Sequence, residues 1–209
     1  MLIQGQSGPI ASTASIAPGT QVPIRQGNLG DQIVSELHGK YYESTYRRVV
    51  YHAAIAAQVT SVGLTAAHTG LVLSNPVGST VNLVVLKVGM GFTVVFAAVS
   101  ALGLGIGYNA GTNVTHTTPI TVRSSFVGVG ATGTGLADSS STMPTAPTLH
   151  TILGAGLTGA VTTVPVVFSY YDLDGSIVLP PGAYMCTYTS TVCAASSGHF
   201  SVSWEEVPI

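Results

Sequence analysis

The chain reads as short β-branched and aliphatic runs separated by clusters of turn-forming residues, with almost nothing at helical period. From Val49 onward the runs recur at strand-like intervals: Leu71-Val-Leu73, Leu83 to Val88, Phe92 to Val99, Ile120-Thr-Val122, Phe126-Val127, Val164 to Tyr170, Ile177-Val-Leu179, Tyr184 to Thr189 and Phe200 to Trp204. Between them stand Asn75-Pro76, Gly78-Ser79, Asp174-Gly175 and Pro180-Pro181-Gly182. Those residues supply the fixed or positive φ angles that tight turns require. The pattern predicts an all-β domain of about ten short strands, packed as a β-sandwich or jelly roll.

Two stretches break this rhythm. Residues 1 to 30 mix Gly, Pro, Ser, Gln and Thr with isolated Ile10, Ile16, Val22 and Ile24, and hold neither period. Such a segment buries too little apolar surface to offset its own ordering entropy, which predicts an extended N-terminal arm over residues 1–40 and a strand body over 41–209. Ile3 to Ile24 is the expected clamp on a partner. Within the arm, Ile33, Val34 and Leu37 support one or two amphipathic helical turns. Tyr41, Tyr42, Tyr46 and Tyr51 then offer aromatic faces on which an arm can dock. The second stretch, Gly128 to Pro147, is rich in Gly, Ala, Ser and Thr with Asp138 its only charge, and reads as a long exposed loop suited to partner contacts.

Composition changes the picture mainly through charge. Charged residues make up 7% of the 209 residues, where a soluble domain carries roughly 25%. Of the 14 charged residues, seven lie between positions 25 and 48, and only Lys87 and Arg123 fall between 49 and 137. Such a body is kept in solution by Ser and Thr, or is covered in an assembly. With a net charge of −2 and no basic cluster beyond Arg47-Arg48, the footprint needed to neutralise several phosphates is missing, so no direct nucleic-acid contact is expected.

The 21 residues from Val88 to Tyr108 carry no charge and are long enough to span a bilayer, but Gly89, Gly91, Gly103, Gly105 and Gly107 fall among them. Each glycine costs a helix about 1 kcal/mol, so two buried strands are expected there and no membrane partner. The opening Met-Leu-Ile-Gln-Gly-Gln-Ser-Gly-Pro has neither a basic nor an apolar leader region, which predicts assembly in a cytoplasm. Cys186 and Cys193, spaced C-x6-C, match no zinc or redox pattern; two buried thiols and a hairpin bridge both remain open.

No catalytic, cofactor or metal-binding residue is singled out. Gly103-x-Gly105-x-Gly107 lacks the strand, spacing and helix of a nucleotide loop. Asp172-Leu-Asp174-Gly175 opens like a calcium loop, but Ala183 stands where the closing Glu is needed, so a turn is expected. The histidines at 38, 52, 68, 116, 150 and 199 form no HExxH or i, i+4 pair. There is no G-x-S-x-G, and Asn113-Val-Thr115 is a glycosylation pattern that matters only on secretion. A non-enzymatic chain is the expectation.

Three segments carry a resemblance: Leu37-His-Gly-Lys-Tyr-Tyr-Glu43, then Leu73-Ser-Asn-Pro-Val-Gly-Ser79 through Asn82-Leu-Val-Val-Leu-Lys87, and Leu179-Pro-Pro-Gly-Ala-Tyr184 with His199 to Pro208. Across residues 37 to 208 their sum resembles tailed-phage virion structural proteins. The resemblance implies a β-sandwich or jelly-roll subunit, often a homotrimer, that binds the major capsid protein on the capsid exterior as a decoration (cement) protein. It also admits a fibre, tail or receptor-binding protein, in which Tyr108, Tyr170, Tyr171 or Trp204 would stack on sugars.

Overall fold

The computed structural model describes residues 39–61, 63–93, 96, 98–128, 132–156, 167–192 and 198–209. The chain divides into Met1–Tyr42 and Glu43–Ile209. In the first unit, the Tyr42 amide donates to the Gly39 carbonyl and the Lys40 ammonium sits 5.3 Å from the Tyr41 ring centroid. The helical turns expected around Ile33, the clamp from Ile3 to Ile24 and nearly all of the arm lie outside the described residues.

One helical turn, α1 (Tyr42–Tyr46), precedes eleven strands. In chain order these are β1 (Val50–Ala54), β2 (Ala67–Ser74), β3 (Val81–Phe92), β4 (Ser100–Tyr108), β5 (Thr115–Ile120), β6 (Arg123–Ser124), β7 (Leu136–Thr142), β8 (Thr148–Gly156), β9 (Val167–Leu179), β10 (Ala183–Thr189) and β11 (Gly198–Pro208). They form a five-stranded sheet, β6-β1-β11-β3-β9, and a six-stranded sheet, β5-β7-β2-β10-β4-β8. Every strand pairing is antiparallel.

Without β5, β6 and β7 the order is that of a jelly roll. β1 pairs with β11, β2 with β10, β3 with β9 and β4 with β8, as the four rungs of one long ribbon. Alternate rungs fall in opposite sheets, and the pairings β11–β3 and β10–β4 wind the ribbon closed. The segment inserted at the ribbon's tip returns to its far side: β7 and β5 extend the six-stranded sheet beyond β2, and β6 pairs with β1. On the opposite side β9 and β8 are the edge strands among the described residues.

The period-2 pattern explains which faces meet. Leu83, Val85, Val88, Met90 and Phe92 of β3 and Phe200, Val202 and Trp204 of β11 point into the space between the sheets, against Leu71, Leu73, Leu102, Leu104 and Met185. Glu206 follows the same inward alternation. Its carboxylate Oε1 accepts from the amides of Thr134 (2.7 Å) and Gly135 (2.9 Å) and from Trp204 Nε1 (3.2 Å), so a buried charge is held by three donors. A smaller cluster of Val72, Val114, Met143, Tyr184 and Cys186 lies under Leu64.

Two expectations meet the structure differently. Val88 to Tyr108 forms the end of β3 and all of β4, in different sheets, and no described helix is long and apolar enough to cross a membrane. The stretch Gly128 to Pro147 is not one exposed loop: it contains β7, which lies between β5 and β2 with Ala137, Asp138, Ser139 and Ser141 buried. Close packing between two strands favours these small residues, which leaves β7 without the apolar alternation that marks a strand.

Candidate functional site

The charge-poor composition becomes an asymmetry between the two sheets. Lys87, Arg123, Asp172, Asp174, Glu205 and Glu206 all belong to strands of the five-stranded sheet, where Lys87 and Asp172 pair at 3.5 Å. The six-stranded sheet has one ionisable carboxylate, Asp138, and that side chain is fully buried. The segments 63–66, 109–114 and 143–147, which lead into or out of its strands, carry no charge either. What the six-stranded half shows to solvent is mainly hydroxyl and apolar: Thr115, Thr117, Thr118, Thr142, Leu149 and Ile152 are exposed, together with the His150 imidazole. Such a surface can be covered by protein without taking an ion out of water, a step that costs several kcal/mol per charge.

Asp138 is held by His116, whose Nδ1 lies 2.5 Å from Oδ2. Burial raises the Asp138 pKa, and the hydrogen bond and charge of His116 pull the other way. A histidine oriented by a buried carboxylate has the form of a general base, but among the described residues no hydroxyl or thiol bonds its second nitrogen. The pair ties β5 to β7. It joins residues 22 apart with no motif between them, across an irregular register in which the backbone of His116 lies opposite Ser141 and that of Asp138 opposite Pro119.

The other sequence candidates have structural places. Gly103, Gly105 and Gly107 lie within β4 where a Cβ would collide with the Thr151 carbonyl, with Leu64 and with the Tyr184 ring respectively, so they are packing glycines. Asp174 and Gly175 both have positive φ (47° and 80°), the signature of a tight turn, and they bulge β9 between Asp172 and Ile177. Among the described residues no three His, Cys, Asp or Glu side chains gather as a metal site. Cys186 is a free thiol pushed up to about 12 by burial, and Cys193 lies outside the described residues. Asn113 spends its side-chain oxygen on the Val77 amide at 2.6 Å.

Two of the three segments behind the phage resemblance meet in space. Asn75 Nδ2 donates to the carbonyls of Val81 (2.8 Å) and Leu179 (2.9 Å), while the Asn75 backbone pairs with Gly182 and Ala183. This corner fixes the β2–β3 and β9–β10 turns against each other, which gives these residues a structural role. Of the four aromatics considered for stacking, Trp204 is fully buried in the core against Tyr51 and Tyr171 is partly buried, whereas Tyr108 and Tyr170 are 60% and 66% exposed. The chain matches no family model, no curated protein and no solved structure.

Proposed function

We propose that this chain is a non-enzymatic virion structural protein, a capsid decoration (cement) subunit that binds the major capsid protein on the capsid exterior. The observation that carries the reading is the six-stranded sheet with no exposed Asp, Glu, Lys or Arg side chain. On an isolated soluble domain that half would be expected to carry charges; on a subunit seated against a shell its hydroxyl and apolar surface is the part to be covered. The jelly-roll winding supports the reading as well, since that topology recurs in capsid proteins, though it also serves lectins and enzymes. The phage resemblance adds a homotrimer and assembly in the host bacterial cytoplasm. Quantitative mass spectrometry of purified particles tests the proposal. It predicts copies of this chain near stoichiometric with the major shell protein, and a few copies per particle or none would overturn it.

A further inference from the structure

On one side of the sandwich the β5–β7 insertion contributes strands to both sheets, but on the other no strand among the described residues bridges the edges β8 and β9. Between them opens a cleft of about 480 Å³, within the roughly 300–1,000 Å³ of small-ligand sites. Its apolar floor includes Ile106, Ile177, Leu179 and Ala183. Tyr108, Thr148, His150 and Ser176 also line it, and no lining residue is an Asp, Glu, Lys or Arg. We infer that this cleft binds a neutral carbohydrate, with Tyr108 as its stacking surface.

The lining chemistry selects the ligand class. Phosphorylated or acidic ligands would find no Lys or Arg, and a metal ion no carboxylate. A wholly apolar ligand would strip water from Thr148, His150 and Ser176 without replacing their hydrogen bonds. A pyranose fits both halves of the lining, because it offers flat C–H faces to an aromatic ring and hydroxyls to the polar groups. The groups are available: the Tyr108 and Ser176 hydroxyls have no hydrogen-bond partner among the described residues. His150 Nδ1 is engaged by Thr151 Oγ1 at 2.9 Å, which leaves Nε2 for a ligand. Thr148 Oγ1 donates to the Ile106 carbonyl at 3.3 Å and keeps its acceptor sites. Tyr170 lies on the other sheet, where the Lys87 ammonium sits 5.4 Å from its ring centroid, so it serves as the control aromatic.

The inference stands apart from the capsid reading and is tested separately. Full-length protein is titrated with maltohexaose, cellohexaose and chitohexaose, with hexagalacturonate as the acidic comparison, by saturation-transfer-difference NMR. At least one neutral oligosaccharide should bind, Tyr108→Ala should weaken it about tenfold, and Tyr108→Trp and Tyr170→Ala should leave it within about threefold. Absence of binding by every neutral oligosaccharide, preference for the acidic one, or binding that survives Tyr108→Ala would overturn it.

Discussion

His68 supplies the sharpest test of the packing. It sits in β2 only 2% exposed, with neither ring nitrogen in a hydrogen bond. Its ring packs where only a glycine fits: a Cβ added at Gly70, at φ 126°, would lie 3.0 Å from His68 Nε2 and 2.8 Å from Thr187 Oγ1. Burial drives its pKa from 6.5 down to about 4, opposed to a smaller extent by the Gly63 backbone, whose approach to the ring falls short of a well-formed hydrogen bond. The folded state therefore holds His68 neutral where the unfolded chain protonates it. Its contribution is fully present above pH 6.5, declines as pH falls toward about 4, and is constant below that. That interval corresponds to a loss on the order of 3 kcal/mol. His68→Leu fills similar space without a titrating group. At pH 8 the variant should match or exceed the parent, since two unpartnered polar atoms leave the core. Urea denaturation followed by the single tryptophan, Trp204, gives both stabilities as a function of pH. The difference between variant and parent should grow in the variant's favour by about 3 kcal/mol between pH 7.5 and 4. A difference that stays flat over that range would mean that His68 is solvated or paired in the folded protein, and the packing described for β2 would be wrong.

Other positions give independent checks. Asn75→Ala removes the shared donor from two carbonyls at the turn corner and should cost about 2 kcal/mol, or roughly 4–8 °C in Tm for a domain of this size; a shift under 1 °C would show the corner to be incidental. Glu206→Ala leaves three donors without their acceptor and should destabilise by about 3 kcal/mol or more, with altered Trp204 emission. Glu206→Gln, which keeps an accepting oxygen, should cost about 1 kcal/mol; equal losses in the two would contradict the hydrogen-bond account.

What could be read from the sequence is what local chemistry dictates. The all-β class followed from β-branched runs and turn residues, and Gly182 does turn with positive φ, whereas Asp174-Gly175, expected as a turn between strands, is a positive-φ bulge inside β9. The strand β7 escaped because Leu-Ala-Asp-Ser-Ser-Ser-Thr has no apolar alternation, its inward side being Ala and Ser. Long-range pairings escaped for a different reason. Nothing local to His116 names Asp138 as its partner, and nothing near Tyr108 indicates that Thr148 and Ser176 share its cleft. The low charge was visible throughout, but that every strand charge except the buried Asp138 falls on one sheet depends on the winding that sends alternate rungs to opposite layers.

The account's central claim, that the uncharged sheet is the docking face, is most directly tested by co-sedimentation with shells of the major capsid protein stripped of this chain. Two carboxylates placed on exposed sites of the six-stranded sheet, Thr117→Glu with Thr142→Glu, should weaken association at least about a hundredfold, because each costs several kcal/mol to desolvate. The same charge added to the five-stranded sheet, His52→Glu with Ala54→Glu, should change it less than about threefold. Equal effects from the two pairs, the reverse order, or a parent chain that does not sediment with the shells would contradict the claim.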